Sequence, residues 1–262
     1  MMPSWGVRVR RGAVAGLVAG VAAAAVLWMF VEPVLEKAIA LEDAGAGGHV
    51  DAAGGHSHAH ESGEAVTRLQ QQIGGTLTVI IVSVLLGVAF AVVYARGRHR
   101  LPGANEVVRS VSLGAIAFFV VALGPAILVP ANPPGVGDPG TVNTRTLTYL
   151  LAILLGVIVV GAAFAVHARL QERTATKARV RAQTALVAGT LAAAMLLLAP
   201  RVTEQAPAPV PSDLLWQFRS ASLLQLAVMW LVMGLVLGLL GQRADGNSRA
   251  RDRERSRPPV GV

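Results

Sequence analysis

Residues 73–95 read IGGTLTVIIVSVLLGVAFAVVYA, a run of 23 residues without a charged side chain. An α-helix rises about 1.5 Å per residue, so roughly 20 apolar residues cross the hydrocarbon core of a bilayer, which is about 30 Å thick. Lipid offers no partners to backbone amides, so a segment of this kind crosses as a helix. The stretch therefore predicts a transmembrane helix, and it decides the fold class.

Further stretches of the same kind indicate that the whole chain is organised around the membrane. They are residues 12–31, 110–130, 146–166, 182–199 and 220–241. The composition agrees, because 53% hydrophobic and only 15% charged residues lie outside the range of soluble proteins. We predict an all-α, polytopic membrane protein with six transmembrane helices in residues 1–241. The Arg-rich segment 242–262 has no apolar periodicity and predicts a disordered tail.

The distribution of basic residues predicts the orientation of the helices. Seven hydrophilic segments flank the six stretches, and their Lys plus Arg counts in chain order are 3, 2, 4, 1, 5, 2 and 6. The odd-numbered segments hold 18 of the 23 basic residues. The positive-inside rule therefore places both termini in the cytoplasm. The use of 21 Arg against 2 Lys is typical of a GC-rich bacterial genome, so we predict a multi-pass protein of the bacterial plasma membrane.

The first stretch, residues 12–31, has two interpretations. Arg8, Arg10 and Arg11 precede it as in a signal peptide, but it is longer than a typical signal-peptide core and ends at Glu32 and Pro33, which favours a retained helix. Its Gly12-xxx-Gly16-xxx-Gly20 spacing makes a smooth face for close helix packing. That face predicts packing within the bundle or, alternatively, a contact between protein chains.

Composition and motifs exclude several classes of function. The sequence pI of about 11.3 is typical of nucleic-acid binding, but the basic residues are scattered between apolar runs, so no nucleic-acid partner is expected. The chain has no cysteine, which excludes disulfides and thiolate metal sites. It also has no phosphate-loop motif, and His99 and His167 lie in or beside predicted cytoplasmic loops, away from buried serines. We expect neither an enzyme nor a tightly bound cofactor.

The segment between the first two stretches, residues 32–72, is the long outer loop, rich in histidine and acidic residues. Four of the six histidines lie here: His49, His56, His58 and His60. Imidazole binds Co, Ni, Cu and Zn, and short His-rich tracts are typical of metal capture. The alternative is a soluble linker. Affinity alone favours Cu or Zn over Co, so the loop does not define the ion.

Two acidic residues at the predicted outer end of the first helix are candidate metal ligands. Glu32 and Glu36 are one helical turn apart and could pass a cation from the loop to the bundle, or they could be solvated boundary residues. Arg145 and Arg219 stand at the outer ends of two returning helices, and we predict that they act as carboxylate partners or electrostatic gates.

The three outward hairpins resemble one another. Each outgoing helix ends at a proline, and each returning helix begins near an arginine. The pairs are Pro33 and Arg68, Pro130 and Arg145, and Pro200 and Arg219. The resemblance is either coincidence at membrane boundaries or a repeat of three helical hairpins, a plan known in transporters.

The residue pattern also resembles a family of bacterial integral membrane proteins, the CbtA family of cobalt-transporter subunits. The resemblance rests on dispersed helix-boundary features between about residues 7 and 242. They are Val-Glu-Pro-Val-Leu-Glu at 31–36, Gly-Val-Ala-Phe at 87–90, Phe118, Leu-Gly-Pro at 123–125, Pro-Pro-Gly at 133–135, Ala-Pro at 199–200, the prolines within 207–211, Leu214, Phe218, Ser222, Trp230, Gly234 and Gly238.

This resemblance implies cobalt uptake for cobalamin biosynthesis, together with a small single-span, His-bearing partner similar to CbtB. The chain departs from the family pattern near Phe118, where a histidine is expected and Val120 and Val121 stand instead. We therefore expect a membrane subunit that takes up a divalent metal, Co²⁺ by the resemblance, with lipid and the metal as its partners. The alternative is a scaffold or accessory subunit that binds metal or a partner protein without moving the ion.

Overall fold

The computed structural model describes residues 4–47, 67–133, 136–173, 176–202 and 210–255, and these residues form helices and connecting turns without strands. Six helices are long and apolar enough to cross a membrane, which confirms the all-α, six-helix prediction. They are Trp5–Leu41, Arg68–Gly97, Glu106–Leu128, Val142–Arg173, Lys177–Leu198 and Ser212–Ala244.

Two of the six are composite helices, each interrupted by a π-helical segment. The elements in chain order are α1 (Trp5–Val26), a π segment (Leu27–Val31), α2 (Glu32–Gly47), α3 (Arg68–Gly97), α4 (Glu106–Phe118), a second π segment (Phe119–Leu123), α5 (Gly124–Leu128), a 3₁₀ turn (Pro139–Thr141), α6 (Val142–Arg173), α7 (Lys177–Leu198) and α8 (Ser212–Arg255).

Local sequence explains where several helices begin and end. Thr67 and Gln70 form a reciprocal capping box at the start of α3, with the Thr67 amide donating to Gln70 Oε1 at 2.9 Å. Asn105 caps α4 by accepting the Val108 amide at 2.9 Å. Helix α7 ends before Pro200. Helix α8 continues to Arg255, into the segment for which disorder is predicted, because no proline interrupts it before Pro258.

The structure divides into two compact units. The first comprises Met1–Ala23, Val79–Ile116 and Val228–Val262. Glycines bring its helices together: a Cβ atom on Gly12 of α1 would lie 2.5 Å from the Gly87 carbonyl of α3, and one on Gly16 would collide with Ser83. On α8, a Cβ atom on Gly238 would lie 2.6 Å from the Val107 Cα of α4. The glycine face of α1 therefore packs within the chain.

The second unit comprises Ala24–Thr78 and Ala117–Ala227, and it has two apolar clusters. One contains Leu128, Ala152, Val159 and Met195, which join α5, α6 and α7. The other joins α2 to the start of α8 through Val34, Ala38 and Leu214. These contacts hold the end of the first composite helix, where the candidate site lies.

Large apolar side chains cover much of the outer surface. Leu198 is 84% exposed, Leu197 74% and Leu186 71%. In water such a surface would cause aggregation, whereas a bilayer solvates it. The exposed leucines therefore fit a multi-pass membrane protein.

Candidate functional site

The candidate site begins at the π segment that precedes Pro33. The amide of Glu32 donates to the carbonyl of Leu27, five residues back, instead of four. Pro33 has no N–H, so the carbonyl of Met29 loses the donor that an α-helix would give it. The backbone is thus distorted in the turn that ends directly before Glu32. π segments of this kind occur often at functional sites.

Glu32 is a buried carboxylate in an ion pair. The residue is 7% exposed, and its Oε2 accepts a hydrogen bond from Nη2 of Arg68 at 2.6 Å. Nε2 of Gln72, one turn further along α3, donates to the same oxygen at 3.3 Å. A buried carboxylate needs compensation of this kind, because desolvation of an unpaired charge is costly.

A second polar contact fixes the same helix pair. Nε1 of Trp28, inside the π segment, donates to Oγ1 of Thr76 on α3 at 3.0 Å. Thr76 in turn donates to the Gln72 carbonyl at 2.8 Å. The first composite helix and α3 are therefore joined by side-chain bonds both within the π segment and directly after it.

The other predicted site residues have different surroundings. Glu36 is exposed, so the structure buries only one of the two carboxylates. Arg219 donates from Nε to the Ala131 carbonyl at 3.1 Å and from Nη2 to Oδ1 of Asn132 at 2.8 Å, and Arg145 is half-buried near the start of α6. The guanidinium that pairs with Glu32 belongs to Arg68, and neither Arg145 nor Arg219 has that place.

The predicted histidine ligands His49, His56, His58 and His60 lie outside the described residues. Among the residues that are described, no three His, Asp or Glu side chains come close enough together to hold a metal ion. Within the described part of the chain, the candidate site is therefore Glu32 with its two partners on α3, Arg68 and Gln72.

The second π segment repeats the backbone of the first without its charge. Gly124 takes the position of Glu32, with its amide donating to the carbonyl of Phe119, and Pro125 takes the position of Pro33. The carbonyl of Val121, which Pro125 deprives of a donor, accepts the hydroxyl of Tyr149 at 2.7 Å. The region where the family resemblance predicts a histidine thus contains a distorted helix bound by a tyrosine of α6.

A separate polar cluster lies within the first unit, around Glu106 at the start of α4. Its Oε2 accepts the Tyr94 hydroxyl at 2.8 Å, and Arg98 and Arg109 lie 3.5 and 3.4 Å from its two carboxylate oxygens. Two arginines and a hydroxyl satisfy this carboxylate. The cluster ties α3 to α4, and we assign it to packing.

Sequence analysis alone did not identify Arg68 and Gln72 as partners of Glu32. Their spacing offers a signal, because residues four apart on a helix share a face. Which carboxylate they meet depends on how α3 packs against the first composite helix, and hydropathy does not contain that information.

The sequence also matches a family of known proteins. The family model described as probable cobalt transporter subunit (CbtA) matches residues 8–242. The chain belongs to the CbtA family. No curated protein and no solved structure matches the sequence. Membership of the CbtA family, with six candidate transmembrane helices, makes the chain a multi-pass membrane protein of a probable cobalt transporter family.

Proposed function

We propose that the chain is the membrane subunit of a cobalt uptake transporter and that Co²⁺ enters the bundle at Glu32. The observation that carries this proposal is the buried Glu32 carboxylate beside a π segment, at the predicted outer end of the first transmembrane helix. A charge inside a bilayer costs about 2.5 kcal/mol or more, so a buried ionisable group at the edge of a span is a candidate for function.

The outer loop collects the metal in this proposal. His49, His56, His58 and His60 supply imidazole ligands that raise the local Co²⁺ concentration, and the exposed carboxylate of Glu36 extends the path towards Glu32. Imidazoles outside the membrane cannot replace the hydration shell of an ion within it. Passage needs ligands that helices hold in place, and Glu32 meets that requirement.

The wider role follows from the family. The family is described as a probable cobalt transporter subunit, which supports a role in transport. We propose that the chain has no enzymatic activity and that the imported cobalt supplies cobalamin biosynthesis. A single-span, His-bearing subunit similar to CbtB is the proposed partner. Arg145 and Arg219 are proposed to act as electrostatic gates. Their positive charges repel a cation at other groups of the entrance and so favour its binding at Glu32.

Kinetics of Co²⁺ uptake can separate capture from passage. His56, His58 and His60 changed together to Ala should raise the half-saturating Co²⁺ concentration and leave the maximal rate nearly unchanged, because only binding is lost. Glu32→Gln should lower the maximal rate by about tenfold, because it removes a fixed ligand at the entrance. Uptake of radiolabelled Co²⁺ by a transport-deficient host measures both, with and without the small partner.

Glu36→Gln is the matched control for the maximal rate: Glu36 belongs to capture in this proposal, so its loss should raise the half-saturating Co²⁺ concentration and leave the maximal rate unchanged. Loss of uptake in the triple-His variant at saturating Co²⁺ would contradict the division of roles, as would an unaltered Glu32→Gln protein. Binding of Co²⁺ without uptake, alone and with the partner, would identify the alternative function, a metal-binding accessory subunit.

A further inference from the structure

We infer that Arg68 is the resident counter-ion of Glu32, which a divalent cation must displace to bind there, so that Arg68 sets the affinity of the entrance for metal. The inference rests on the proposed function, in which Glu32 is the entrance ligand. It assigns a role to a residue that is not a ligand itself and acts through its charge.

Among the residues that the structure describes, the hydrogen bonds to Glu32 all involve one of its two carboxylate oxygens. Among the described residues, both donors to this carboxylate, Nη2 of Arg68 and Nε2 of Gln72, bond to Oε2, and none bonds to Oε1. A cation can therefore first contact Oε1. It can take the second oxygen only by replacing the guanidinium that lies 2.6 Å from Oε2.

Charge and exposure make the exchange feasible. A guanidinium in contact with the carboxylate neutralises it and repels a second cation, so Arg68 and the metal compete for the same group. The side chain of Arg68 is 34% exposed against 10% for that of Glu32. Arg68 can consequently swing into water, whereas the carboxylate stays fixed by its packing.

A further oxygen atom that can take part in the coordination lies on α3. The amide of Gln72 already lies beside Oε2 of Glu32, and a half-turn about its last bond presents its carbonyl oxygen in place of the NH₂ group. Carboxylate and carbonyl oxygens bind Co²⁺ less tightly than imidazoles do. A weak oxygen site suits passage, because the ion must also leave.

The second π segment shows that the backbone distortion alone does not create such a site. There Gly124 replaces the carboxylate, and the Tyr149 hydroxyl occupies the released carbonyl of Val121 at 2.7 Å. Of the two π segments in the described residues, the first is followed by an acidic side chain and the second by a glycine. We therefore assign the exchange between guanidinium and metal ion to the Glu32 carboxylate and its partner Arg68.

Direct binding of Co²⁺ to the purified full chain tests the inference. The parent protein carries His49, His56, His58 and His60 changed to Ala, so that loop ligands do not contribute, and equilibrium dialysis with radiolabelled Co²⁺ measures affinity. Arg68→Gln should lower the dissociation constant on the order of tenfold, because the competing charge is gone. Arg68→Lys, which retains a cation but loses the two-pronged guanidinium, should give a smaller decrease.

Three controls separate competition from a structural role. Adding Glu32→Gln to Arg68→Gln should abolish the gain in Co²⁺ affinity that Arg68→Gln shows over the parent protein. Free guanidinium, compared with sodium at equal ionic strength, should weaken Co²⁺ binding to Arg68→Gln and restore part of the parent behaviour. Arg201→Gln should leave the affinity unchanged, because that exposed guanidinium donates to the Leu196 carbonyl and not to a carboxylate.

Each outcome distinguishes the inference from the proposed function. Unchanged or weaker Co²⁺ binding in Arg68→Gln would overturn the inference, and if that variant does not fold, an unchanged or weaker affinity in Arg68→Lys overturns it equally. If Arg68→Gln binds Co²⁺ more tightly than Arg68→Lys, and Arg68→Lys more tightly than the parent, but cells show no uptake, the counter-ion role is supported and transport is contradicted. Uptake by the unaltered chain, with no order among the variants, would leave transport standing and reject the role of Arg68.

Discussion

At the scale of single residues, proline decides which backbone carbonyls need another partner. Pro125 deprives the Val121 carbonyl of an amide, and the Tyr149 hydroxyl replaces that amide at 2.7 Å. In lipid an unsatisfied carbonyl costs more than in water, since no solvent can bond to it. The first composite helix faces the same problem at Pro33, but there a charged residue, Glu32, stands beside the π segment.

We predict that Tyr149→Phe lowers the free energy of unfolding by about 1 kcal/mol, because the Val121 carbonyl loses its donor. In a Pro125→Ala background the new alanine amide can bond to that carbonyl. Tyr149→Phe should then lower the free energy of unfolding by less. Thermal unfolding of the four proteins in detergent measures the coupling. Tyr94→Phe is the control: its hydroxyl bonds to Glu106, so its cost should not depend on Pro125. Equal costs of Tyr149→Phe in both backgrounds would contradict the assigned bond.

At the scale of elements, small residues determine which helices touch. In the first unit Gly12 and Gly16 of α1 approach the backbone of α3, and Gly234 and Gly238 of α8 approach that of α4. In lipid the hydrophobic effect does not drive helices together. The van der Waals contacts at these close approaches therefore stabilise the helix pairs. The glycine face of α1 is thereby occupied within the chain, which is one of the two interpretations that its spacing allows.

We predict that Gly16→Leu destabilises the protein by about 2–3 kcal/mol and lowers the yield of folded chain, because a side chain there collides with Ser83 on α3. Gly161→Leu on α6 is the matched control, since no atom lies within 4 Å of a Cβ atom at that position, and it should change stability little. The unfolding temperature and the monodisperse fraction in size-exclusion chromatography measure both. Equal losses in the two variants would argue against tight α1–α3 packing.

At the scale of the whole molecule, hydropathy and charge together set the topology. Six helices can cross the membrane, and the basic residues alternate between segments, with 18 of 23 on the side predicted to be cytoplasmic. The predicted outer segments contain 10 of the 15 acidic residues, which favours the approach of a cation from that side.

We predict that both termini are cytoplasmic and that the His-rich loop faces outward. Because the chain has no cysteine, Ser57→Cys and Ser248→Cys each introduce a single thiol. A membrane-impermeant thiol reagent added to intact cells should label the first and not the second. Permeabilised cells are the control, in which both should react. Labelling of position 248 from outside would refute the orientation.

The sequence by itself determined the fold class, the six helices and the family resemblance. The bilayer makes these properties local, since about 20 consecutive apolar residues suffice to define a span. It also pointed to Glu32, because an acidic residue at the end of an apolar run stands out against its neighbours. The histidine ligands of the outer loop and the orientation of the helices are likewise predicted from the composition of local segments, and they stay predictions.

Only the tertiary structure decided what surrounds Glu32. In the sequence, Arg68, Arg145 and Arg219 each precede the apolar stretch of a returning helix, and no pattern in the chain says which one meets the carboxylate. The choice of Arg68 follows from the packing of α3 beside the first composite helix, where Trp28 and Thr76 also bond. Likewise, Glu32 and Glu36 share a face of α2, and only the tertiary structure shows that the first is buried and the second exposed. Hydropathy is a property of consecutive residues, whereas the partner of a charge is set by residues that are distant in the chain and adjacent in space.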